Sequence, residues 1–159
     1  MRLNIAMMIA VLLISRMVPA HSPIILYDFT EGMHGWTGNP RVTNMKVSDE
    51  GLYFESIGHD PWIESPPVEN MPLGDRVRIT LRMRSDGDSS GELYYGPGFV
   101  AERQARFFVK PDGAWHEYSL LLPAQDAGTR LRVDPAGGTG AFTLAWIKAE
   151  AVRPLITPA

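Results

Sequence analysis

The stretch RVRITLRMR, residues 76–84, has the clearest period in the chain: Val77, Ile79, Leu81 and Met83 alternate with Arg76, Arg78, Thr80, Arg82 and Arg84. Successive side chains of an extended strand point to opposite faces, so a period of two predicts a strand with one buried and one wet face. The same logic marks segments 24–29, 42–47, 52–56, 62–65, 92–95, 105–109, 115–122, 130–133 and 142–151, about ten short strands in all. No window of similar length has the apolar spacing of an amphipathic helix.

Turn chemistry fills the gaps between these segments: SDEG at 48–51, SDGDSSG at 85–91, KPDG at 110–113 and PAGGTG at 135–140. In KPDG the proline presets φ for one turn position, and Gly113 is free to take the left-handed conformation that returns the chain to a strand. Many short strands, Gly/Pro/Asp turns and no crossover helices predict an all-β, antiparallel sandwich. Its span is 24–152, followed by a Pro-rich tail, RPLITPA, at residues 153–159.

Composition sets the surroundings. Met1 to Asn4 lead into an apolar run from Ile5 to Ile14, and Val18 and Ala20 offer the small side chains that a signal peptidase inspects. Residues 1–20 therefore read as a signal peptide, because the apolar run is half of the roughly 20 residues needed to span a bilayer. The expectation is a secreted or periplasmic protein with no membrane span after cleavage. Loss of Arg2 and Arg16 leaves 13 Lys+Arg against 18 Asp+Glu, a net charge of −5, which disfavours nucleic acid as a partner. With no Cys, thiol chemistry and thiolate metal sites are excluded, and His21, His34, His59 and His116 have no metal-binding spacing.

The segments YDFTEGMHGW, GLYFESIGHDPWIESP, RITLRMRS, GAWHEYSLLL and TRLRVDPAG occur in an order that resembles the galactose-binding-domain-like jelly-roll β-sandwiches. These are similar to the carbohydrate-binding modules attached to secreted bacterial sulfatases and glycoside hydrolases. The resemblance spans roughly residues 25–150 and implies a non-catalytic, carbohydrate-binding-like module with a glycan or polysaccharide as partner. It also implies a structural Ca²⁺ near the first and last strands, commonly held by an acid where this chain has Ala145. No other cofactor is expected.

Asp60-Pro61 and Asp134-Pro135 flank strands, and each proline removes a backbone donor and pushes the residue before it toward extended geometry. Both aspartates are read first as pins of a turn or strand edge, accepting from loop N–H groups or an arginine. Ligand contact and acid–base catalysis are the two other readings. The GDSSG at 87–91 matches a nucleophile elbow around Ser89 but joins two strands where that motif needs a strand-to-helix turn. Asp86 and Asp88 open a calcium-loop pattern that ends on Pro97 instead of glutamate, leaving a loose calcium contact or a solvated hairpin tip.

Sugar rings stack their apolar faces on aromatic rings while their hydroxyls seek Arg, Asp or Glu. Trp115, Tyr118 and Trp146 are assigned to the core; Tyr27, Trp36 and Tyr53 are assigned to packing at the edges. Trp62, Tyr94, Tyr95 and Phe99 lie near Pro/Gly-rich loops, and a polar sheet face could combine Arg78, Arg82, Glu92, Tyr94, Arg106, Glu117, Arg130 and Arg132. The candidate ligand-binding residues are Trp62, Arg82, Glu92, Tyr94, Tyr95, Phe99 and Arg106. Against this stand a solvated face of ion pairs, a structural sandwich with a noncovalent protein partner, and a small glycan-cleaving enzyme using Asp60, Asp134 or Glu117.

Overall fold

A computed structural model describes residues 22–126 and 128–152, so the signal-peptide and tail segments, 1–20 and 153–159, lie outside the described residues. The strands are β1 (Ile24–Asp28), β2 (Thr37–Gly38), β3 (Val42–Ser48), β4 (Gly51–Ser56), β5 (Ile63–Glu64), β6 (Arg76–Ser85), β7 (Ser90–Gly96), β8 (Gln104–Phe108), β9 (His116–Pro123), β10 (Arg130–Asp134) and β11 (Gly140–Val152). Each of the ten segments predicted from alternation forms a strand. The two-residue β2 and a 3-10 turn at Ala101–Arg103 are additions that no alternation signals.

The strands form two antiparallel sheets. Sheet A runs β3-β4-β11-β6-β9, with β1 also paired to β11, and sheet B runs β2-β5-β10-β7-β8. Alternation decides what lies between them: Val77, Ile79, Leu81 and Met83 of β6 are fully buried, as are Leu93 of β7, Leu131 and Val133 of β10. Phe54 and Phe142 stack with centroids 5.4 Å apart, and Trp36 packs edge-on against Tyr27 and Phe29 at 5.3 and 5.5 Å. Burying each such side chain contributes about 1.5–3 kcal/mol, which is what holds a cysteine-free sandwich closed.

Strand β11 breaks its own period. Its pairing with β6 slips between Leu144 and Trp146, a β-bulge at Ala145, so the buried set is Phe142 and Leu144 before the slip and Ile147 and Ala149 after it. One extra residue turns every later side chain to the opposite face. Trp146, expected in the core, therefore lies on the outer face of sheet A, half-buried. Trp115 also lies outside the core, because Tyr118, Leu120 and Leu122 set the inward phase of β9 and leave odd-numbered positions facing out.

The bulge falls where β11 changes partners on its other edge: β4 along 140–144 and β1 along 146–149. Gly51 opens β4 at this junction with φ +127°, and a Cβ there would stand 2.8 Å from Ala145 Cα. Gly51→Ala should therefore cost about 1–3 kcal/mol, seen as a lower urea midpoint. Gly98→Ala, in open space, should stay within about 0.5 kcal/mol of the parent.

Candidate functional site

Register aligns the outward side chains of sheet B into rows. Glu64 of β5 faces Arg132 of β10, which faces Tyr94 of β7, which faces Gln104 of β8. The next row places Asp134, Glu92 and Arg106 side by side. Trp62 stands just before β5, and Phe99 lies in the loop after β7.

Arg132 is the centre of this face. Its guanidinium lies 4.8 Å from the Trp62 ring centroid and 4.7 Å from that of Tyr94. Its Nε and Nη2 donate to the two oxygens of Asp134 at 2.7 and 2.5 Å, and Nη2 also donates to Asp60 Oδ1 at 3.2 Å. A guanidinium held in a carboxylate fork and between two rings has one orientation available to it. Similar pairs flank it: Arg130 donates to Glu64 at 2.6 Å and lies over Phe99 at 5.5 Å, while Arg106 pairs with Glu92 at 3.0 Å. Tyr94 donates its hydroxyl proton to Glu92 at 2.9 Å. Burial, then the Glu92 carboxylate, holds the Tyr94 phenol above its ordinary pKa.

Of the residues proposed from the sequence, Trp62, Glu92, Tyr94 and Arg106 share this face, and Phe99 borders it beneath Arg130. Two do not belong. Arg82 lies on β6 and points out of sheet A, on the far side of the sandwich, and so do Arg78 and Glu117. Tyr95 is one residue out of phase with Tyr94 and faces the core, 8% exposed, opposite Leu131. Phe108, 70% exposed, was missed; its alternation with Arg106 on β8 places it on the same outward set.

Asp60 is not in the extended conformation expected before proline: its φ is +56°. Asn39 Nδ2 donates to its carbonyl at 2.7 Å, fixing the turn, and its exposed carboxylate reaches back to Arg132. Asp134 is buried at the end of β10. The two carboxylates, far apart in sequence, thus hold one arginine between them.

The residues at the expected calcium position do not make a cage. Asp28 Oδ1 accepts from Thr30 N and Oγ1, and the carbonyl of Ala145 accepts from Phe29 N. Asp86 and Asp88 likewise accept from backbone N–H groups of Ala141, Ser90 and Gly137, tying the β6–β7 hairpin to the turn before β11. Among the described residues no three His, Asp or Glu side chains gather.

With this geometry in hand, the sandwich can be compared with known structures. No protein-family model and no curated protein matches the sequence. Solved structures match well. A carbohydrate-binding module, CBM4, superposes with a TM-score of 0.61 at 11% identity, covering 78% of this chain and 99% of its own. The N-terminal cellulose-binding domain of Cellulomonas fimi β-1,4-glucanase C gives 0.59 at 10% identity over 80% of this chain and 95% of its own. The xylan-binding module CBM15 gives 0.58 at 13% identity over 85% and 99%. The fold is the jelly-roll β-sandwich of carbohydrate-binding modules.

Burial raises the Asp134 carboxyl to about 6, outweighing the opposing pull of Arg132. A carboxyl whose folded pKa lies above its unfolded value stabilises the fold below the unfolded pKa, and that contribution is lost as pH rises through the folded one. The stability of the parent relative to Asp134→Asn should therefore fall by about 1–3 kcal/mol between pH 4 and pH 7, measured by urea unfolding at each pH.

Proposed function

We propose that this protein is an exported, non-catalytic module that binds a glycan on the outer face of sheet B. The observation that carries the reading is the Trp62–Arg132–Tyr94 stack at the centre of that face, in a sandwich whose structural neighbours bind xylan and cellulose. A pyranose offers an apolar face to an aromatic ring and hydroxyls to fixed donors and acceptors. Trp62, Tyr94 and Phe99 supply rings; Arg132, Glu64, Glu92 and Arg106 supply the polar groups beside them. Phe108 extends the set toward the β8 edge.

Every arginine on this face carries an acid partner, so the surface is close to neutral and suits uncharged sugars. The same pairing argues against catalysis. Asp134 gives both oxygens and Asp60 one oxygen to Arg132, so both acids are turned to one arginine instead of flanking a bond as a glycosidase pair does. Export is supported by the Met1–Ala20 pattern.

Affinity-gel electrophoresis of the full chain with soluble xylan, mixed-linkage β-glucan and hydroxyethylcellulose tests the reading. Retardation by at least one polysaccharide is expected, with Trp62→Ala weakening it about tenfold or more, equivalent to about 1.4 kcal/mol or above. No retardation by any of them, or retardation unchanged by Trp62→Ala, overturns the proposal.

A further inference from the structure

The outer face of sheet A carries a second set of aromatic and cationic groups that the sheet B reading does not use. Trp146 of β11 stands beside Arg82 of β6 in register, and Arg82 and Arg84 lie over the Trp115 ring at 5.3 and 5.1 Å. Lys148 lies over the Trp146 ring at 3.9 Å. Both indoles are half-buried, and they lie on either side of β6, Trp146 on β11 opposite Arg82 and Trp115 just before β9.

Charge distinguishes this face from the first. Arg78 pairs with Glu150 and Arg84 with Glu50, whereas Arg82 and Lys148 have no hydrogen-bonded or ion-paired partner among the described residues. Glu117, opposite Arg82 on β9, Asp28, opposite Trp146 on β1, and Asp86 are the other acids nearby; Asp28 is engaged by Thr30 and Asp86 by the Ala141 N–H. Arg84, which lies over Trp115, also helps line a hollow of about 210 Å³ with Tyr53, Asp86, Gly113 and Thr143. Aromatic platforms two strands apart and two cations without a hydrogen-bonded or ion-paired partner fit a ligand with apolar ring faces and negative groups.

We infer that the outer face of sheet A is a second binding site, for an acidic polysaccharide segment bearing uronate carboxylates, with Trp115 and Trp146 as stacking platforms and Arg82 and Lys148 as carboxylate partners. The inference goes beyond the sheet B site and does not rest on it. A chain with both faces active joins a neutral and an acidic glycan, back to back, through one rigid sandwich.

The test is affinity-gel electrophoresis of the full chain in polygalacturonate and, in parallel, in the neutral polysaccharides named above. Polygalacturonate should retard the parent, and 0.5 M NaCl, where the Debye length is about 4 Å, should reduce that retardation. Arg82→Gln, which removes a charge and keeps a side chain of similar length, should weaken polygalacturonate retention tenfold or more while leaving the urea midpoint and neutral-glycan mobility unchanged. Trp115→Ala should do the same to retention, and Trp62→Ala should leave it intact. The inference is overturned if polygalacturonate does not retard the parent, if Arg82→Gln retains it fully, or if Trp62→Ala abolishes it. Loss of neutral-glycan binding alone would instead strike the sheet B reading.

Discussion

Strand β11 is the constraint on which the rest of the sandwich depends. It hydrogen-bonds β6 along its whole length on one edge, while β4 and β1 divide the other edge between them at Ala145. The bulge falls where those two partners meet, and it changes the phase of the strand there. The inner face then remains apolar on both sides of the junction, with Leu144 before it and Ile147 after it fully buried. The same slip sends Trp146 outward. One local irregularity therefore both closes the core and furnishes the outer face of sheet A.

Sheet B shows how polar groups are kept ordered on an outward face. Ion pairs exposed to water contribute only about 0–1 kcal/mol each, so the exposed Arg106–Glu92 pair does little for stability. What the Arg–acid rows do is fix geometry. Arg132 is held by Asp134 from its own strand, by Asp60 from a loop 72 residues earlier, and by rings from β7 and the β5 approach. Groups already fixed before a ligand arrives lose less freedom on binding, which is where pre-organisation adds affinity. The cost falls on Asp134, whose burial makes its carboxyl harder to ionise even beside Arg132.

The likeness to modules only 10–13% identical has the same physical root. A jelly-roll requires alternation, turns and a filled interior, and many residue sets satisfy those demands. Outer faces are under no such requirement. Each carries its own aromatic and charged groups, and here the two faces differ: the arginines of sheet B are paired off, while Arg82 and Lys148 on sheet A are not.

Alternation along the chain determined the strands themselves, because side-chain period is a local property of extended backbone; β6 reads out its buried Val77, Ile79, Leu81 and Met83 directly. Phase also separates Tyr94 from Tyr95 and places Phe108 with Arg106, information that was present in the sequence. Which sheet each strand joins was not. Arg82 and Tyr94 have the same pattern around them, yet β6 pairs with β9 and β11 while β7 pairs with β8 and β10, so the two side chains leave the sandwich in opposite directions. The bulge at Ala145 and the left-handed turn at Asp60 were equally invisible, since both arise where distant segments meet: β1 and β4 on one strand edge, Asn39 on the Asp60 carbonyl. Local periodicity fixes which way a side chain turns relative to its own strand; only the pairing of strands far apart in sequence decides which residues it turns toward.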